Sequence, residues 1–198
     1  MEKGNGKREM ILNAALDLFS VKGYDGVGVD EIGSAVGIKG PALYYYFKSK
    51  EALLDALIEK MNAYYEARFI PARRKTELPA NMEELVNMSM EMLDFTIHDE
   101  QIIKVRRMLA MEQFRNGKLR ALTTKHHLTG LEEIYTGMFR HLIELGRVKP
   151  FDPGLLAGEF TAYVTMMVHL IDREPEKETE AMERIRRHMI HFSAVYGM

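Results

Sequence analysis

Between Gly33 and Lys50 the chain places three lysines, Lys39, Lys48 and Lys50, and no Asp or Glu, a local charge of +3 in a protein of formal net charge -2. Three consecutive tyrosines, Tyr44, Tyr45 and Tyr46, stand among them. Phenol hydroxyls donate to phosphate oxygens, ring faces meet sugars and thymine methyl groups, and ammonium groups neutralise phosphates. Together these residues can hold a polyanion. The slightly acidic whole does not oppose this, because a phosphate responds to charge within roughly 8 to 10 Å. Lys3, Lys7 and Arg8 extend the positive patch at the start of the chain.

The surrounding elements decide which of these groups point outward. Almost every segment repeats at helical period, and none alternates strictly as a half-buried strand does, so the predicted fold is all-α. In the first helix Ile11, Ala15 and Leu18 form one row and Leu12, Leu16 and Phe19 the next, a stripe broad enough to face a core. Gly23 stops that helix in the left-handed region. After a loop over 24–27, Gly28 is the predicted N-cap of a short second helix, with Asp30 and Glu31 in the first turn to offset its dipole. Ile32, Ala35 and Val36 turn inward, and Gly37 ends it. The third helix is predicted from Gly40 to Phe47, with Pro41 in its first turn, where a missing N–H costs nothing. On it Leu43 and Phe47, four apart, face the core, while Pro41, Ala42, Tyr44 and Tyr45 stay on the exposed side. Two short helices joined through Gly37, with Ile38 in the turn, set the second at a steep angle to the first. Spacing alone leaves two readings open, because a Gly-linked helix pair with a tyrosine run is also compatible with ordinary packing. A fourth helix opens at 49–51 and keeps Leu53, Leu54, Leu57, Ile58, Met61 and Tyr65 on one face until Pro71.

The stretch Gly37-Ile38-Lys39-Gly40-Pro41-Ala42-Leu43-Tyr44-Tyr45-Tyr46-Phe47-Lys48-Ser49-Lys50-Glu51-Ala52-Leu53 resembles the TetR family signature. Ala14-Ala15-Leu16, Leu18-Phe19, Gly23-Tyr24 and Glu31-Ile32 precede it at the family's spacing. The resemblance covers about the first 60 residues. It implies a helix-turn-helix DNA-binding domain over 1–50, with a helical ligand-binding and dimerisation domain over 51–198. It further implies that Pro41, Ala42, Tyr44 and Tyr45 lie in the major groove, that Tyr44 and Lys50 hold phosphates, and that Lys39 and Gly40 open the recognition helix. The chain departs from the family pattern at Lys39 and Gly28, cap positions where the family commonly has Ser or Thr. The recognition helix also holds no Arg, Asn or Gln to pair bidentately with a purine. Operator preference is then expected to rest on Lys39, thymine methyl groups and DNA shape.

One short helix touches too few base pairs to be selective, so a two-fold pair is expected, its recognition helices about 34 to 36 Å apart or a multiple of that repeat. Helices are predicted near 82–98, 101–115, 119–146 (broken near Gly130), 154–173 and 176–196. In the last, Met182, Ile185, Met189, Phe192 and Tyr196 recur at spacings of three and four. The helix before it is apolar nearly all round and includes Phe160 and Met167, which implies burial on more than one side. These seven residues are the expected dimer face, and the family resemblance likewise implies dimerisation through the last two helices. The chain has 15 methionines, many of them in this body. Thioethers are flexible and polarisable, which suits an adaptable apolar pocket as well as plain core filling. The expected effector is a small apolar or aromatic molecule held among Met92, Phe95, Met108, Met111, Met138 and Tyr163.

The chain has no cysteine, which excludes disulfides, thiolate metal sites and cysteine nucleophiles. No Gly-rich phosphate loop, H-E-x-x-H or serine elbow occurs, so neither a catalytic residue nor a cofactor is expected. His188 and His191, three apart, lack a matching third ligand, so no metal is expected either. No run of 18 apolar residues is seen and no secretion signal, so a soluble, cytoplasmic protein without a membrane partner is expected. The expected function is that of a ligand-responsive transcriptional regulator, a repressor, binding a palindromic double-stranded operator as a homodimer. Two rivals stand beside it: a helical small-molecule-binding protein or enzyme whose N-terminal unit is merely packing, and an interaction module using the Met-rich surface.

Overall fold

The computed structural model describes residues 2–74 and 78–198. Among them lie α1 (Glu2–Lys22), α2 (Val29–Ala35), α3 (Gly40–Leu43), α4 (Lys50–Arg74), α5 (Met82–His98), α6 (Glu100–Glu112), α7 (Gly117–Thr124), α8 (Gly130–Glu144), α9 (Pro153–Arg173) and α10 (Glu178–Tyr196). The described residues contain no strand, only an isolated antiparallel bridge between Val148 and Gly197. The all-α reading and the N-terminal three-helix unit are both present.

By packing, the chain forms two units. The first joins residues 1–71 to 100–119. The stripe of α1 is its core: Ile11, Leu12, Ala15, Leu16 and Phe19 are buried, with Ile32, Leu43, Leu53, Leu54, Leu57 and Met61 from the next three helices. The amphipathic α6 packs on α1 and contributes Ile102, Val105, Met108 and Leu109, all fully buried. On α2 the inward residues are Ile32, Gly33 and Val36; Ala35 is exposed, contrary to the sequence expectation, since a helix this short has only one narrow buried face.

The second unit takes in residues 72–99 and 120–198. Asn81 caps α5 by accepting from the Glu84 N–H, and Asp152 caps α9 by accepting from the Leu155 N–H, with Pro153 in the first turn. Phe160 lies at the centre of an aromatic cluster, its ring 5.1 to 5.6 Å from those of Tyr135, Phe139 and Phe192. The break foreseen near Gly130 is a π-helical turn, Lys125–Thr129, directly before α8. The end foreseen at Pro71 is not there: α4 runs on to Arg74. Proline's fixed φ suits a helix, so it removes one hydrogen bond and need not end the element. Residues 75–77 of the expected linker lie outside the described residues. Among the described residues one helix, α9, is long and apolar enough to cross a membrane by length and composition, which the count of consecutive apolar residues does not register. Its Leu156, Ala157, Phe160, Met167, Val168 and Ile171 are buried in the core, and it packs against α8 and α10.

Candidate nucleic-acid interface

The unit is set by its turn. Gly37 adopts φ +72°, the Ile38 N–H reaches back to the Gly33 carbonyl at 2.9 Å, and the Gly37 N–H to that of Ser34 at 3.2 Å. This pairing satisfies the last carbonyls of α2 and turns the chain abruptly into α3. The two helices then touch backbone to backbone. A Cβ on Gly33 would stand 2.9 Å from the Ile38 carbonyl oxygen and 3.2 Å from the Gly40 nitrogen, and one on Gly40 would overlap the Asp30 carboxyl. Gly28 and Lys39 are the N-caps of α2 and α3, as foreseen, and neither makes a side-chain cap bond.

The third helix is shorter than its sequence suggests. Regular helix ends at Leu43, and the tyrosines follow in a tighter turn through i to i+3 bonds, Tyr44 to Pro41 (3.3 Å), Tyr45 to Ala42 (3.2 Å) and Tyr46 to Leu43 (2.9 Å). Aromatic residues crowd a regular helix against the preceding turn, and the narrower winding keeps their backbone satisfied. Leu43 and Phe47 are buried, as expected, and Pro41 and Ala42 are exposed. Tyr44 is 51% exposed and Tyr45 87%. Tyr46 is half-buried and stands edge-on to Tyr45, 5.3 Å between centroids. Gly40 is buried, so what it gives the site is close contact with α2 rather than a side of its own.

The cations divide into two groups. Lys39 and Lys48 are exposed. Lys7 donates to the Val36 carbonyl at 2.7 Å, closing the end of α2, and the Arg8 guanidinium lies over the Phe47 ring at 4.8 Å, so both also bind the unit together. The Lys3 side chain lies outside the described residues. Lys50 is half-buried, its ammonium 4.3 Å from the Tyr24 ring centroid and 6.0 Å from that of Phe19. Burial, followed by the carboxyls of Glu51 and Asp25, pushes the Tyr24 phenol above its ordinary pKa, so it stays protonated. Lys118, from α7, holds Glu51 at 2.8 Å and Asp55 at 2.6 Å. Tyr24, Lys118 and Glu112, described below, escaped sequence reasoning. Only the Gly23-Tyr24 pair carried any signal, through the family spacing.

Other sequence-derived candidates separate. Met108, fully buried, and Met111, 37% exposed, are in the first unit, whereas Met92, Phe95, Met138 and Tyr163 are in the second. Met138 and Tyr163 share the second core cluster. The Tyr163 hydroxyl accepts from the Arg184 Nε at 3.2 Å, and its ring lies 5.0 Å from His188, whose Nε2–H donates to the Phe160 carbonyl at 3.1 Å. The expected dimer face is largely interior: Phe160, Met167, Ile185, Met189 and Phe192 are between 0% and 4% exposed within the chain itself. Only Met182 and Tyr196 are half-buried. A core stripe and an interface stripe share the same period, and here the core of the chain takes the larger one. The outward apolar residues of these helices are instead Leu155 and Met166 on α9, and Ile190 and Val195 on α10.

A family model described as "Bacterial regulatory proteins, tetR family" matches residues 11–57, which span α2, α3 and the turn between them. The chain is 41% identical over 61 residues to the tetracycline repressor protein class A from transposon 1721 of Escherichia coli, a match covering 31% of this chain and 28% of that protein. It is 26% identical over 149 residues to the HTH-type transcriptional regulator RutR of Escherichia coli K12, covering 75% of this chain and 68% of RutR. The fold is similar to that of SmeT, the repressor of the Stenotrophomonas maltophilia multidrug efflux pump SmeDEF, with TM-score 0.71, 20% identity and coverage of 96% and 90%. SmeT has also been solved in complex with triclosan; against that structure the TM-score is 0.73, with 19% identity and coverage of 98% and 92%.

Proposed function

We propose, on the premise of the tetR-family match over residues 11–57, that the chain is a ligand-responsive transcriptional repressor of that family binding a palindromic operator as a homodimer. The observation that carries the reading is the polarity of α3 and its following turn. Leu43 and Phe47 are sealed inside while Tyr44 and Tyr45 stand in solvent beside exposed Lys39 and Lys48. A soluble domain has no packing reason to leave two large aromatic rings outside, and a groove with phosphate walls supplies one. In this reading residues 1–50 are the DNA-binding domain and 51–198 hold effector and partner. Pro41, Ala42, Tyr44 and Tyr45 enter the major groove, Tyr44 and Lys50 take phosphates, and Lys39 and the Gly40 backbone open the helix. The protein works in the cytoplasm and catalyses no reaction.

The second copy is proposed to cover the outward face of α9 and α10, with Leu155, Met166, Ile190 and Val195 at its centre. Phe160, Met167, Ile185, Met189 and Phe192 support that face from beneath. The effector, a small apolar or aromatic molecule, is proposed to bind in the second unit beside Met92, Phe95, Met138 and Tyr163. α4 links the two functions, since the first packing unit ends at Pro71 and the second begins at Ala72, inside that helix. Coupling of about 1 to 3 kcal/mol changes operator affinity about 5- to 150-fold. Selection of bound fragments from genomic DNA, followed by footprinting, tests this. Two protected half-sites one helical repeat or a multiple apart are expected, released by an apolar ligand; fragments with no common sequence, or affinity indifferent to every ligand the protein binds, would refute it.

A further inference from the structure

Glu112, the last residue of α6, has a carboxyl group that is almost fully enclosed at 1% exposure. One oxygen, Oε1, accepts the Tyr24 N–H at 3.0 Å. The other, Oε2, is buried with no hydrogen-bond partner among the described residues. The fit is tight: Gly23 adopts φ +74°, and a Cβ there would stand 2.5 Å from Oε1. A buried polar oxygen without a partner is unfavourable, and a hydrophobic residue would fill the same space without that penalty. Stability alone therefore does not account for a glutamate here.

Its position does. The backbone that Glu112 holds belongs to Tyr24, and the ring of Tyr24 is the seat of the Lys50 ammonium, 4.3 Å from its centroid. Phe19 packs edge-on against that ring at 5.3 Å and lies 6.0 Å from the same ammonium. Lys118, six residues beyond Glu112, meanwhile occupies Glu51 and Asp55, the carboxyls nearest in sequence to Lys50 on α4. Among the described residues Lys50 meets no carboxyl group, so its charge stays available to an external anion.

We infer that Glu112 is a positioning residue for DNA binding, setting Lys50 for its phosphate through the Tyr24 backbone and ring. The inference rests on the proposed role of Lys50. Where that role holds, the end of α6 becomes a control point on the phosphate grip, 88 residues along the chain from the turn it holds.

The test is a double-mutant cycle on the full-length chain, with a duplex selected by the wild-type protein from a random-sequence pool and affinity measured across a salt series. Glu112→Ala should weaken binding by about 2- to 30-fold, and should flatten the logarithmic salt dependence by about the 0.9 due to one phosphate contact. Glu112→Gln, whose amide oxygen can still accept the Tyr24 N–H, should restore both, and also stands in if the alanine variant fails to fold. Tyr24→Leu, which keeps the N–H and removes the ring, should reproduce Lys50→Ala. In the Lys50→Ala background Glu112→Ala should have no further effect. An undiminished loss in that background, or a glutamine variant as impaired as alanine, would overturn the positioning role while leaving Lys50 as a phosphate contact. A Lys50→Ala variant with wild-type affinity and slope would instead remove the role assigned to Lys50, and the inference with it.

Discussion

Tyr45 in the turn after α3 and Phe160 in α9 are aromatic residues of similar bulk at opposite extremes, 87% and 1% exposed. Around Phe160 the rings of Tyr135, Phe139 and Phe192 pack at tilted or edge-on angles, and the buried Tyr135 hydroxyl finds a partner in Ser89 at 3.0 Å. Beside Tyr45 stands the ring of Tyr46, 5.3 Å between centroids, and Lys39 and Lys48 of the same segment are exposed. The first region is what folding produces when it removes apolar surface from water. The second leaves that surface out, and the backbone beneath it is held by two glycines in close contact. The difference separates residues that hold the fold from residues left in solvent, which the proposed function assigns to DNA.

The comparison breaks most visibly if the buried region is not a core. Phe160→Ala should lose about 3 to 5 kcal/mol in denaturant unfolding, because it removes the shared neighbour of three rings. Gly33→Ala should lose about 1 to 3 kcal/mol and release DNA, because its methyl group meets backbone atoms that no rotamer change can clear. Tyr45→Ala should change stability by less than about 0.5 kcal/mol, yet weaken duplex binding by about 1 kcal/mol, or roughly fivefold. A melting loss comparable to that of Phe160→Ala would show Tyr45 to be structural. The smallest effect concerns His98, hydrogen-bonded to Glu178 at 3.0 Å and Asp94 at 2.9 Å, foremost by Glu178, which together raise its pKa above 6.5. The stabilisation is fully present below the unfolded value and fades as pH rises through the raised one. Since the pair is exposed, it amounts to about 0.3 kcal/mol. His98→Gln should flatten stability between about pH 6 and 8, as followed by melts across that range.

Helical period was enough to read the first unit, because Ile11, Leu12, Ala15, Leu16 and Phe19 form a stripe that has one place to go. The exposure of Tyr44 and Tyr45 was legible too, as three adjacent rings on a short helix cannot share one inward face. Period fails where two destinations compete. Ile185, Met189 and Phe192 read equally well as core or as interface, and only the packing of α10 on α9 decides for core. Methionine composition could not separate Met108 from Met138, which belong to different units. Glu112 could not be found at all, since its partner Tyr24 is 88 residues away and no local pattern records the bond.

The most direct test of the tyrosine face is the salt dependence of duplex binding for the wild-type chain and for Tyr44→Phe. Wild-type affinity should fall steeply and linearly on logarithmic axes, with a slope near -0.9 for each phosphate held, and loss of the Tyr44 hydroxyl should weaken binding without changing the melting temperature. Affinity that is flat with salt, or a phenylalanine variant that binds as tightly as wild type, would contradict the assignment of α3 and its tyrosines to DNA.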